Sequence, residues 1–194
     1  MFENLRRDSA RYTVLGGWFQ HPGFWIVAVY RFGMWAHGLP WWGRLPMWAL
    51  YRLARLPLVV FNVHLWAGRG GAKIGPGFCL IHPTNVSIGK LVEIGSDCLI
   101  FNDVTLGTGT IGSTPKLGDR VDVYVGARIL GGVSIGSDSM VGANCVVMRD
   151  VPASSVVLSA PSRVIPRALS PVARKADGMT PDDSPAPGPT ERVG

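Results

Sequence analysis

From Leu117 onward an aliphatic residue recurs at every sixth position: Leu117, Val123, Ile129, Ile135, Val141 and Val147. The same interval runs through Ile88, Ile94, Ile100 and Leu106. A small residue, usually glycine, tends to follow, as at Gly89, Gly95, Gly107, Gly118, Gly136 and Gly142. A period of six matches neither the 3.6-residue turn of a helix nor the alternation of an isolated strand. It predicts a solenoid of short strands that meet at regular corners, with one inward aliphatic per face. Three such faces make a coil of about 18 residues, and coils stack at about the 4.8 Å strand spacing.

The ladder begins at Ile74 and Leu80 and has two irregular steps. Leu80 to Ile88 is eight residues, which places two extra residues beside His82. Leu106 to Leu117 is eleven, so five extra residues within 107–115 bulge outward as a loop rich in glycine, serine and threonine. Insertions in solenoids project from one face, often the binding face. Pro152 and Pro161 end the regular part, and 156–166 reads as a capping strand and exit.

Upstream, the period changes. A first short helix is expected over 3–15, and a second starts at Pro22-Gly23 and ends before Gly38-Leu39-Pro40. A third is expected over 45–61, with Pro46 in its first turn. Downstream of Ala168, five prolines and no apolar run leave too little to bury for an ordered structure. The predicted organisation is a helical, Trp-rich, basic segment over 1–66, a β-solenoid over 67–166 and a Pro-rich disordered tail over 167–194.

Charge changes the picture of the first half. The chain carries a net charge of +6, yet no acidic residue lies between Asp8 and Glu93. Arg11, Arg31, Arg44, Arg52, Arg55, Arg69, Lys73 and Lys90 fall in that stretch, and all seven tryptophans lie in this half, between Trp18 and Trp66. Aliphatic runs interrupt the basic residues and no nucleic-acid motif is present, so nucleic acid is not an expected partner. Two readings remain: the helices pack on one another and on a neighbouring subunit, or they touch an anionic membrane surface. Neither apolar stretch, 24–36 or 45–61, reaches about 20 uninterrupted apolar residues, and both contain arginine, which argues against a spanning helix. The N-terminus lacks signal-peptide character. The expected location is the cytoplasm, either free or at the inner face of the membrane. Cys79, Cys98 and Cys145 have no zinc-like spacing or disulfide plan and read as reduced. The four histidines form no metal-site pair, so no metal is expected.

His82 is the leading candidate for chemistry, because the two extra residues open the coil beside it. A free imidazole titrates at about 6.5 and takes a proton from a hydroxyl at neutral pH; a structural corner histidine is the alternative. Thr84 and Asn85 lie just beyond it. Asn102 and Asp103 follow about one coil later, within reach to orient the base or bind a substrate hydroxyl, or else to cap their own turns. Gly107, Gly126, Ala127, Gly142 and Ala143 leave backbone exposed to a slender amide-bearing arm, although corners also favour glycine for steric reasons. Arg128, Arg163 and Lys116 are candidates for cofactor phosphates, or simply surface charge.

The segments 21-HPGFWIVAVYRFGMWAH-37, 73-KIGPGFCLIHP-83, 104-VTLGTG-109, 115-PKLGDRVDVYVGARILGGVSIG-136 and 141-VGANCVVMRDVP-152 resemble the hexapeptide-repeat acyltransferases. Among these the chain resembles the serine O-acetyltransferase-like family, in particular the enzymes of bacterial polysaccharide gene clusters. The resemblance implies a mainly β fold, a left-handed parallel β-helix preceded by a small α-helical domain. It implies a homotrimer, or a dimer of trimers through the helices, with active sites between subunits. It further implies acetyl-CoA as acyl donor and His82 as general base. Three departures stand out: Ile81 where the family has an acidic residue, His64 near the position of a second acid, and Thr114 where the family has a histidine that engages the amino acid. A free amino acid needs partners for both its charges, so Thr114 and Ile81 lead to the expectation of a saccharide or lipid-linked glycan acceptor. Serine, or a non-catalytic scaffold, is the alternative.

Overall fold

Among the described residues, fourteen two- and three-residue strands, numbered in chain order, stack into three parallel sheets that wrap one apolar core. The structure, a computed structural model, describes residues 2–14, 16–109 and 112–160. Arg163 and the expected tail lie outside these residues. The first sheet holds β1 (His64–Leu65), β4 (Ser87–Ile88), β7 (Thr105–Gly107), β10 (Arg128–Leu130) and β13 (Val146–Val147). The second holds β2 (Lys73–Ile74), β5 (Glu93–Ile94), β8 (Lys116–Leu117) and β11 (Ser134–Ile135). The third holds β3 (Cys79–Leu80), β6 (Leu99–Ile100), β9 (Asp122–Val123), β12 (Met140–Val141) and β14 (Val156–Val157). The fold is the left-handed parallel β-helix of hexapeptide repeats, preceded by a small helical bundle.

The aliphatic ladder is the core: Leu80, Ile88, Ile100, Leu106, Val123 and Ile129 are shut off from solvent. The structure adds a second inward position, two residues before each aliphatic, occupied by Phe78, Val86, Val92, Cys98, Val104, Val121, Ala127 and Cys145. Residues i and i+2 of a strand share a face, so each face contributes two inward side chains where the sequence pattern indicated one. Their chemical variety hid the second ladder. The coil also begins one rung earlier, at Leu65, which pairs with Ile88. His64 therefore joins His82 on the solenoid.

The helices are α1 (Phe2–Thr13), α2 (Pro22–His37) and α3 (Trp41–Ala54), with a 3-10 turn over Leu56–Phe61. The third helix starts earlier and ends sooner than the sequence indicated. Pro46 lies inside it rather than in its first turn, and Pro57 converts the remainder to the tighter turn.

The helices finish what the first coil leaves open. Within the stack, alternate backbone groups of each coil bond to the next, as Cys79 N to Cys98 O and Ile81 N to Ile100 O. The intervening residues of the first coil point away from that neighbour, and an open strand edge of this kind needs partners. Helical side chains supply them. Arg31 donates to the carbonyls of Ile74 and Gly75, both at 2.6 Å, and Tyr30 donates to Ala72 O at 2.7 Å. The Phe78 N–H donates to Asp8 Oδ1 at 2.9 Å. The Leu80 N–H donates to Tyr12 Oη at 2.7 Å, while the Tyr12 hydroxyl donates back to Leu80 O at 3.3 Å. Asp8, the last acid before Glu93, is spent on this clip: it is 0% exposed and pairs with Arg31, itself 5% exposed. Gly23 lets α2 come this close, because a side chain there would strike the Leu80 carbonyl.

Candidate active site

His82 follows β3 by two residues, at the corner where the third sheet turns into the first. Its φ is +48°, in the left-handed region, and its carbonyl accepts from the Thr84 N–H at 2.6 Å. The two extra residues of the eight-residue step are absorbed in this tight turn. The side chain is exposed and its imidazole makes no hydrogen bond among the described residues. The backbone just before it is held rigidly: Leu80 by Tyr12, and Ile81 by Ile100 O.

One residue per coil forms a column along this corner. Asn62, Asn85, Asp103, Gly126 and Asn144 all have positive φ, which Asn, Asp and Gly tolerate best. A side chain at Gly126 would collide with the Asn144 carboxamide. A chain of side-chain hydrogen bonds links the coils. His64 Nε2 lies 3.1 Å from Asn62 Oδ1, Asn62 donates to Asn85 Oδ1 at 2.9 Å, and Asn85 donates to Asp103 Oδ1 at 2.5 Å. Arg128 completes it, donating from Nη2 to Asp103 Oδ1 at 3.3 Å and from Nη1 to the Asp103 carbonyl. The Asp103 N–H donates to Thr84 O at 2.9 Å, which seats this carboxylate one coil above the turn that carries His82.

The residues singled out from sequence thus divide between two corners. His82, Thr84, Asn85, Asn102, Asp103, Gly126, Ala127, Arg128 and Ala143 share the corner between the third and first sheets. Gly142, at the end of β12, adjoins them. Gly107 ends β7 on the far side of the first sheet, where Thr114 and Lys116 also lie. Thr114 donates its hydroxyl to Leu91 O at 3.0 Å, and Lys116 pairs with Glu93 at 3.3 Å. Ala127 is fully buried, so it offers the corner only its backbone. Gly126 N already donates to Asn102 O, and Gly142 N to Val157 O.

Sequence reasoning missed four residues here. Asn62 opens the polar column, and Tyr12 fixes the backbone ahead of the histidine. Phe101 and Tyr124 stack at 4.8 Å with ring planes 14° apart, in the slot directly after the aliphatic rung that glycine usually occupies. Their bulk at that slot was the available signal. Among the described residues, no group of three histidine, cysteine or acidic side chains is arranged to hold a metal ion. Burial pushes the Cys79 and Cys98 thiols up to about 11, so neither is a ready nucleophile.

This coil with its exposed corner histidine is a hexapeptide-repeat scaffold that carries a candidate general base. The chain is 38% identical over 167 residues to the serine acetyltransferase of Mycobacterium tuberculosis, covering 82% of this chain and 67% of that one. It is 41% identical over 120 residues to the serine acetyltransferase of Helicobacter pylori, covering 60% and 67%. A serine acetyltransferase solved in complex with CoA superposes with a TM-score of 0.64 at 27% identity, covering 84% of this chain and 68% of that one. No family model matches the chain. It belongs to the serine acetyltransferase family, and spans about two thirds of the length of these relatives.

These likenesses correct two expectations. The relatives are serine acetyltransferases, not polysaccharide-cluster enzymes, and the saccharide or glycan acceptor falls with that placement. The physical reason lies in the two departures that suggested it. Ile81 packs against the Tyr12, Phe24 and Cys79 cluster, so its apolar side chain serves the seam between helices and coil. Thr114 serves a backbone carbonyl. Neither residue reports on the acceptor.

Proposed function

We propose that this chain transfers the acetyl group of acetyl-CoA to the hydroxyl of serine, with His82 as general base. The observation that carries the reading is His82 itself: an exposed imidazole, without a partner among the described residues, on a turn whose backbone is pinned from both sides. The base takes the serine hydroxyl proton as the oxygen attacks the thioester carbonyl. The tetrahedral intermediate then expels the CoA thiolate, and the imidazolium returns the proton to sulfur. No acyl-enzyme forms, and the buried cysteines stay out of the reaction.

Asp103 and Arg128 are charged residues of this same corner, paired with one another and both 38% exposed. They offer a carboxylate to the serine ammonium and a guanidinium to its carboxylate, the pairing that an amino-acid substrate requires. The backbone of Gly126, Gly142 and Ala143 lies along the same corner for the pantetheine arm. The loop residues Thr114 and Lys116 stand across the first sheet, too far round the coil to join His82 within one chain. A homotrimer, in which the loop corner of one subunit faces the histidine corner of the next, unites them. Arg163 belongs to the same cofactor set from the sequence and lies outside the described residues.

The test is direct. With acetyl-CoA and L-serine, the protein releases CoA and forms O-acetylserine, read by mass spectrometry. His82→Asn, which tolerates the same left-handed backbone, lowers turnover by about 10²- to 10⁴-fold without altering the circular dichroism spectrum. A protein that binds CoA but never acetylates serine overturns the acceptor. Full turnover in His82→Asn overturns the base.

A further inference from the structure

Helix α3 is unusual in how little of it is buried. Of its fourteen residues only Tyr51 is inaccessible. Trp41 is 72% and Trp42 69% exposed, and Leu45, Leu53 and the adjoining Leu56 each exceed 60%. At 100° per residue, Trp41, Leu45, Ala49 and Arg52 lie on one side of α3, displaced from the Tyr51 side that meets α2, and Leu56 follows in the adjoining 3-10 turn. Soluble monomers rarely expose so many large apolar side chains on one helix without something to cover them.

The charge around the stripe identifies the cover. Arg44 and Arg52 are exposed on α3, and Arg52 lies 4.9 Å over the Trp48 ring. Beside them a cleft of about 430 Å³ is lined by His37, Arg44, Leu45, Trp48, Ala67 and Arg69. No acidic residue occurs between Asp8 and Glu93, and Asp8 is sealed against Arg31. A second copy of this face would bring arginine to arginine with no carboxylate to answer either. An acidic, partly apolar surface answers both features: acyl chains take the tryptophans and leucines, and phosphates take the arginines. No helix among the described residues is long and apolar enough to cross a membrane, so contact is confined to the interface.

We infer that α3 docks this protein on anionic phospholipid, with Trp41 and Leu45 inserted at headgroup depth and the cleft between Arg44 and Arg69 receiving a headgroup phosphate. The inference is independent of the acetyl acceptor, since its readout is lipid binding.

The experiment uses the full chain with vesicles of phosphatidylglycerol mixed into phosphatidylcholine, and with vesicles of phosphatidylcholine alone. The expected result is co-sedimentation with the anionic vesicles, a blue shift of tryptophan emission, and loss of both as salt is raised. Each exposed arginine near the surface is worth about fivefold, so the combined Arg44→Gln, Arg52→Gln and Arg69→Gln variant binds about a hundredfold more weakly. Trp41→Ser with Leu45→Ser also weakens binding, while CoA release with serine is unchanged; all five side chains are on the surface, so the fold is retained. Failure of the unaltered protein to bind, or indifference of binding to the three arginines, overturns the inference. So does self-association that Trp41→Ser with Leu45→Ser abolishes in a protein that ignores vesicles, because a second copy then covers the stripe.

Discussion

The carboxylate of Asp8 grips the guanidinium of Arg31 through two hydrogen bonds, at 2.9 and 3.1 Å, in a seam closed to solvent. The same pair reaches three backbone groups of the first coil. Removing one member of a buried ion pair leaves an uncompensated charge. Asp8→Asn is therefore expected to cost about 3–5 kcal/mol, read as a lower urea midpoint with an unchanged slope.

Tyr12→Phe removes a hydroxyl that both accepts from and donates to Leu80. A buried N–H and carbonyl are left without partners, at about 1–3 kcal/mol each. Leu80 precedes His82 by two residues, so the loosened turn also misplaces the base. The expected kinetic signature is a lower kcat with the KM for serine little changed.

Asp103→Asn separates acceptor binding from chemistry. The substitution keeps a group able to hydrogen-bond Asn85 but removes the negative charge offered to the serine ammonium. A charge-assisted bond of about 1.5–3 kcal/mol corresponds to a rise in serine KM of about ten- to a hundredfold. The KM for acetyl-CoA should stay the same. Equal effects on both substrates would place Asp103 in coil stacking alone.

Cys79 and Cys98 are pushed up by burial from the ordinary thiol value near 9 to about 11. The folded protein holds these protons more tightly than the unfolded chain. Their contribution to stability is complete below pH 9 and is lost as the pH rises toward 11. Disulfide-forming thiol reagents at pH 8 should find Cys79, Cys98 and Cys145 unreactive, since all three are buried. All three should react at once when the protein is unfolded in denaturant.

The solenoid was legible because its signal repeats: one aliphatic position in six, held from Ile88 to Leu106 and again from Leu117 to Val147, admits few other folds. The two broken steps were legible for the same reason, and they located His82 and the loop. The second inward ladder was not, because Phe78, Cys98, Ala127 and Cys145 share a position but no chemistry. The polar column from His64 to Arg128 was half visible. Asn85 and Asp103 fell one coil apart, but the link through Asn62 required knowing that β1 begins at His64. The acceptor was misread because Ile81 and Thr114 were judged as missing binding groups. Ile81 answers to α1 and α2, and Thr114 to the Leu91 carbonyl, contacts that span long intervals of chain and leave no local trace.

The helical clip on the first coil has a consequence for biogenesis. Asp8, Tyr12, Tyr30 and Arg31 emerge from the ribosome before the strands whose edge they satisfy. Each later coil then has a satisfied neighbour to stack on, so growth in the direction of synthesis leaves no open edge behind it. A chain begun at Asn62 would lack this starting template, and its first coil would recruit the raw edge of another molecule in place of the helices.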